Sequence, residues 1–216
     1  MREDVIRRIQ EHKVIAIARG IKPEAGLQLA QALYDGGIRL IEVTFDQADT
    51  EKQLQTVCMI QTLCRHFGDR MAIGAGTVTS VELVEKAAAA GAQYIISPDA
   101  CENVIHRTRE LGMVSIPGAL TPTEITMAHR WGADFVKLFP VGAIGAGYAK
   151  AVTAPLNHIK LLAVGGVNAG NIAQYLKAGC CGAGVGGNLV DKKLVEAGLF
   201  AQITQNAEQL IQAVNG

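Results

Sequence analysis

The chain has no excess charge of either sign: 20 Lys plus Arg balance 20 Asp plus Glu. With no basic cluster to track a phosphate backbone, nucleic acid is excluded as a main partner. No apolar run approaches the roughly 18 residues that suggest a membrane span. The opening MREDVIRRIQEH mixes acids with bases and lacks the apolar centre of a secretory leader. A soluble, cytoplasmic protein with no membrane partner is expected. Five cysteines are present, Cys58, Cys64, Cys101 and the adjacent Cys180 and Cys181, with no CxxC and no His at zinc-ligand spacing. Reduced thiols are expected in place of a disulfide framework or a zinc site. His12, His66, His106, His129 and His158 all fall in helical or loop stretches, so neither a metal cluster nor a Ser-His-Asp triad can be assembled.

What the chain does have is apolar content, 49% of 216 residues, and 24 glycines. The first is enough for a substantial core. The second exceeds the usual share of about 7%. Eight short β-rich runs recur along the length: VIAIAR from Val14, LIEVTF from Leu40, AIGAGT from Ala72, YIISP from Tyr94, VSIPG from Val114, FVKLFP from Phe135, LLAVGG from Leu161 and GAGVGG from Gly182. Between them lie amphipathic stretches at helical spacing, such as Ala25, Leu29, Ala32 and Leu33, or Leu199, Ile203, Ala207, Leu210 and Val214. Several of these stretches end at Gly37, Gly91, Gly112 or Gly132, where glycine closes a helix in the left-handed conformation. The β runs are continuously apolar, as in a parallel sheet covered on both faces. These features predict a (β/α)₈ TIM barrel forming a single domain over residues 1–216, with a short N-terminal helix across its bottom. An open doubly wound sheet is the alternative.

In such a barrel the strands' C-terminal ends carry the chemistry. The polar residues found late in these runs are Arg19, Glu42, Thr44, Thr77, Ser97 and Lys137. Glu42 and Lys137 sit among apolar neighbours, where a charge must be paired or shift its pKa. Period-two alternation puts Lys137 on one face with Phe135 and Phe139. A lysine desolvated there keeps more of the neutral amine that attacks a carbonyl to form a Schiff base, and Glu42 is placed to move protons. The competing reading is a structural Glu42–Lys137 ion pair. Gly165-Gly166 and Gly186-Gly187-Asn188 follow the last two runs, where this fold often binds phosphate, although each glycine pair alone is equally a tight turn. In Gly74-Ala75-Gly76-Thr77 the Thr hydroxyl suits a carboxylate, with a structural bend as an equal contender.

Taken in order, GGIRLIEVTF with Glu42, IGAGTV with Thr77, IISPD with Pro98, SIPGALTPTE with Pro117 and Gly118, VKLFP with Lys137 and Phe139, and the loops AVGGV and GVGGN resemble the 2-keto-3-deoxy-6-phosphogluconate and 4-hydroxy-2-oxoglutarate aldolases over nearly the whole chain. The resemblance implies a class I, Schiff-base carbon–carbon lyase of Entner-Doudoroff-type carbohydrate metabolism that releases pyruvate and needs no metal or organic cofactor. It implies Lys137 as the Schiff-base lysine and Glu42 as the acid/base. Thr77 would hold the pyruvate-derived carboxylate, with Pro98, Gly118 and Phe139 around the substrate. Arg19 with Gly165, Gly166, Gly186, Gly187 and Asn188 would receive the distal anionic group. A homotrimer is also implied. One position departs: many members carry Arg four residues after the Glu, where this chain has Asp46 and then Gln47. A carboxylate cannot replace a bidentate guanidinium, so either another donor such as Arg19 takes over or the preferred substrate differs. Two competing functions share the glycine loops: a phosphate-binding barrel isomerase or synthase, and a non-catalytic phospholigand-binding barrel.

Overall fold

The computed structural model describes residues 2–216. Its strands are β1 (Val14–Ala18), β2 (Leu40–Thr44), β3 (Ala72–Gly76), β4 (Tyr94–Ile96), β5 (Val114–Ile116), β6 (Gly118–Ala119), β7 (Val136–Leu138), β8 (Leu161–Val164) and β9 (Gly182–Val185). Its helices are α1 (Arg2–His12), α2 (Pro23–Asp35), α3 (Thr50–Phe67), α4 (Val81–Ala89), α5 (Glu102–Glu110), α6 (Pro122–Arg130), α7 (Ala146–Thr153), α8 (Ile172–Lys177), α9 (Lys192–Glu196) and α10 (Phe200–Asn215).

All strands pair in parallel, in the order β5-β4-β3-β2-β1-β9-β8-β7-β6. The two ends of that order, β5 and β6, are separated in the chain only by Pro117. Proline has no N–H to give the ladder, which is why one predicted strand is cut in two. Its carbonyl still accepts from Lys137 N at 2.8 Å, between Phe135 N→Ser115 O at 3.3 Å and Phe139 N→Ala119 O at 3.0 Å. On the other side Ser97 N donates to Ile116 O and Gly118 N to Asp99 O. Residues 114–119 therefore act as one strand bonded on both edges, and the eight β runs close into a TIM barrel instead of an open sheet.

Two apolar layers result. The outer layer joins the sheet to the helices, with Leu29, Leu33, Ile60, Leu63, Ile105, Ile125, Ile172 and Ile203 buried. The inner layer joins Ile15, Leu40, Tyr94, Val114, Phe135 and Leu162 to Val5 and Ile9 of α1. The N-terminal helix thus plugs the barrel's bottom, as its sequence predicts. Arg2 and Arg109 converge on the carboxylate of Asp134, which also accepts from Ser115 N, fastening the plug to the barrel wall. The four predicted helix-closing glycines all take positive φ, from 73° at Gly112 to 98° at Gly132. Among the described residues, no helix is long and apolar enough to cross a membrane.

Candidate active site

Glu42 lies mid-β2 and Lys137 mid-β7, both pointing into the barrel. Each is almost wholly buried, 1% and 5% exposed. They share the wall of a small internal cavity of about 10 Å³ with Ile17, Ile96, Ile116 and Val164. That is close to the space of a single water. Gly76 makes the seat for the carboxylate, since a Cβ there would lie 2.7 Å from Glu42 Oε2. The Lys137 ammonium stands 4.7 Å from the centre of the Phe139 ring, a cation–π contact.

Hydrogen bonding and electrostatics both bear on the two readings of this pair. A structural ion pair needs its buried oxygens satisfied, yet Glu42 Oε2 has no hydrogen-bond partner. Burial pushes the Glu42 carboxyl above the usual carboxylate range, against the opposing pull of Lys137 and Arg19. Burial likewise pushes the Lys137 amine below the usual lysine range; the Glu42 charge opposes that shift and Arg19 adds to it. Both groups are displaced toward their neutral forms, which favours an amine able to attack and a carboxyl able to exchange protons.

Above this pair, β3 runs extended through Gly76, and the left-handed residue is Thr77, at φ 57°. The glycines in GAGT therefore do not bend the chain. For a β-branched residue a positive φ is a genuine outlier, of the kind that clusters at functional sites. Gln47 holds it: Gln47 Nε2 donates to Thr77 O at 2.7 Å, and Gln47 Oε1 accepts from Thr79 Oγ1 at 2.6 Å. Nothing in the sequence pattern singled out Gln47, because the contact spans thirty residues and depends on how two loops meet.

Asp46 is engaged within its own loop. Its Oδ1 accepts from Ala48 N at 2.9 Å and its Oδ2 lies 3.5 Å from Lys52 Nζ. Arg19, by contrast, is exposed at the mouth. It lines a cavity of about 740 Å³ together with Thr44, Asp46, Gln47 and Thr77. Gly118 must lack a side chain, because a Cβ would lie 2.3 Å from Pro98 O; this brings the ends of β4 and β6 together beside the site.

On the far side of the mouth Gly165 and Gly166 take φ of 100° and 74°. Gly165 abuts Phe139 and Pro140, with its Cβ position 3.5 Å from Phe139 Cδ2. Asn188 Nδ2 donates to Val167 O at 3.0 Å and so ties the loop after β9 to the loop after β8. Its side-chain amide is thereby committed to loop geometry. Among the described residues the backbone amides of Gly166, Gly187 and Asn188 find no acceptor in the chain. Gly187 also has open space around it. Free amides on two adjacent loops suit an anion.

All five cysteines are free. Burial pushes Cys64 and Cys180 up to about 11 and Cys181 up to about 12, which leaves them as inert thiols.

Comparison with known proteins agrees with this geometry. The sequence profile of the family described as "Aldolase: KDPG and KHG aldolase" matches residues 5–206. The chain is 36% identical over 203 residues to 2-dehydro-3-deoxy-6-phosphogalactonate aldolase of Escherichia coli, covering 91% of this chain and 96% of that one. It is 31% identical to 2-dehydro-3-deoxy-phosphogluconate aldolase of Treponema pallidum, covering 97% of each. A crystal structure of KDPG aldolase from Legionella pneumophila, with pyruvate captured as a covalent carbinolamine intermediate, superposes with a TM-score of 0.83 at 27% identity, over 92% of this chain and 94% of that one. With a closed parallel barrel, a buried lysine facing a buried carboxylate, and this coverage, the chain belongs to the KDPG and KHG aldolase family.

Proposed function

We propose that this Schiff-base aldolase cleaves a 6-phosphorylated 2-keto-3-deoxy sugar acid to pyruvate and glyceraldehyde 3-phosphate, with Lys137 and Glu42 carrying the chemistry. The shorter 4-hydroxy-2-oxoglutarate, giving pyruvate and glyoxylate, fits the same pair. The observation that carries the reading is the buried, unbonded juxtaposition of Lys137 and Glu42 in one small cavity.

The neutral Lys137 amine attacks the C2 ketone to give a carbinolamine, and Glu42 delivers the proton with which its hydroxyl leaves as water. The product is a protonated iminium. Glu42, now ionised, takes the proton of the C4 hydroxyl; the C3–C4 bond breaks and its electrons flow into the iminium, giving an enamine and the free aldehyde. Protonation of the enamine at C3 restores an iminium, and water hydrolyses it to pyruvate and free lysine. The iminium is itself the electron sink, so the steps call for no metal or organic cofactor.

Thr77 holds the pyruvate-derived carboxylate, and Arg19, on the same cavity, supplies the guanidinium that position 46 lacks. Pro98, Gly118 and Phe139 enclose the reacting carbons. The amides of Gly166, Gly187 and Asn188, with Gly165 and Gly186 shaping the loops, receive the distal phosphate. A phosphorylated substrate also accords with the names of the Escherichia coli and Treponema pallidum relatives. We place residues 1–216 in a single domain that assembles as a cytoplasmic homotrimer, which sizing of the purified protein checks.

Trapping tests the mechanism. Pyruvate plus borohydride is expected to leave a reduced pyruvyl adduct on Lys137, located by peptide mass spectrometry. An unmodified lysine, or normal turnover by Lys137→Met, overturns it. Cleavage rates across phosphogluconate-, phosphogalactonate- and oxoglutarate-type substrates then test the substrate class.

A further inference from the structure

Among the described residues, two buried side-chain polar atoms have no hydrogen-bond partner: Glu42 Oε2 and the Tyr94 hydroxyl. They are neighbours by design of the sheet. Glu42 pairs in register with Gly74, and Gly74 with Tyr94, so the three stand in one row across β2, β3 and β4. A Cβ on Gly74 would lie 2.2 Å from Tyr94 Cε2 and 2.5 Å from Cζ. The phenol ring therefore lies across the bare backbone of β3, on the side of the barrel where Glu42 sits. Filling that space requires only a ring. Carrying a hydroxyl into it, at 0% exposure, costs free energy unless the O–H finds an acceptor.

From this placement we propose that Tyr94 is a positioning residue for the acid–base step: in the working enzyme its O–H donates to the Glu42 carboxylate, directly or through one water, and stabilises the ionised form that takes the C4 hydroxyl proton. Catalytic hydrogen bonds that are long in a free enzyme commonly tighten when substrate binds. The proposal rests on the aldolase reading above, in which Glu42 is the base. Lys137 from β7 and Arg19 after β1 also act on Glu42, as charges, while the groups that act on Tyr94 are Glu42 and, from α3 on the outer layer, Cys64. Cys64 is occupied, its Sγ donating to Gly91 O at 3.3 Å. Tyr94 is thus the neutral donor available from β4.

Tyr94→Phe removes the donor and keeps the ring. A carboxylate that loses such a bond protonates more readily, so the acid limb of the kcat/KM profile is expected to move up by about one pH unit. Exchange of pyruvate methyl protons for deuterium is expected to slow about tenfold at the acid end, while borohydride trapping at Lys137 persists. A fluorinated tyrosine at position 94, a stronger donor of the same shape, is expected to move the limb down. Superimposable pH profiles and exchange rates for the wild type and both variants, with trapping intact, overturn the role of Tyr94 and leave the aldolase reading standing. Absence of trapping in the wild type overturns the aldolase reading itself.

Discussion

The barrel interior is two unlike halves. At the bottom, Val5 and Ile9 of α1 meet Ile15, Leu40, Val114, Phe135 and Leu162 in an apolar plug. At the top, a buried carboxylate has an unpartnered oxygen, a buried lysine faces it, and a threonine is held at positive φ. The first half is apolar packing apart from the Tyr94 hydroxyl, whereas the second gathers a buried carboxylate, a buried lysine and a left-handed threonine within a few residues. The lower half supplies the stability against which the upper half can hold displaced pKa values and a strained backbone. If so, substitutions at the top should damage turnover and spare folding, and those at the bottom should do the reverse.

The largest effect is expected at Lys137. Lys137→Met is predicted to lose about four orders of magnitude in kcat. Because an apolar side chain then fills a site that penalised a charge, its Tm should equal or exceed that of the wild type. A marked fall in Tm would show the ammonium to be a structural partner of Glu42 and would erase the division between the halves. Glu42→Gln comes next, with a predicted loss of 10²- to 10⁴-fold in kcat while pyruvate trapping at Lys137 survives. Its stability has a signature in pH. Burial raises the folded-state pKa of Glu42, so between the unfolded and folded values the native state binds more protons than the unfolded one. Stability from this group is therefore full below the unfolded pKa and declines as pH rises through the folded one. Thermal melts across that window should show the decline in wild type and not in Glu42→Gln.

The bottom half is tested by Ile9→Ala, which empties a fully buried position on the plug helix. A loss of about 2–5 kcal/mol in unfolding free energy is expected from denaturant titration. The kcat of the folded fraction should stay within twofold of wild type. A large loss of kcat in a variant that remains folded would mean that the plug tunes the mouth.

The halves also differ in how much of each could be read from sequence. The lower half is periodicity: β runs apolar throughout, helices with one apolar face, and α1 with Val5 and Ile9 four residues apart. Such patterns survive in one dimension. Lys137 and Glu42 were equally visible, because a charge inside an apolar run is conspicuous wherever the chain goes. The supports around them were not. Gly76 is needed because Glu42 leans across from the next strand, and Gly74 because Tyr94 does, which only the register reveals. The proline that cuts one run at Pro117 is plain in the sequence, but the edge partners on either side of it are set by barrel closure. Tyr94 itself reads as an ordinary strand aromatic until its hydroxyl is found without a partner.

The smallest effect separates backbone strain from side-chain chemistry. Thr77 stays left-handed while Gln47 grips its carbonyl, at 2.7 Å, and is braced in turn by Thr79. A β-branched residue there stores about 1–3 kcal/mol, which the loop releases if the grip is lost. Gln47→Ala removes a hydrogen bond worth about 1 kcal/mol, so the KM for the keto acid should rise about fivefold. With Lys137 and Glu42 untouched, kcat should remain within twofold. Gln47→Glu keeps a bond to Thr79 but turns an acceptor toward the Thr77 carbonyl, and should raise KM at least as much. An unchanged KM in both variants would mean that the conformation of Thr77 is imposed by β3 and its neighbours alone, and that the mouth is as self-supporting as the plug beneath it.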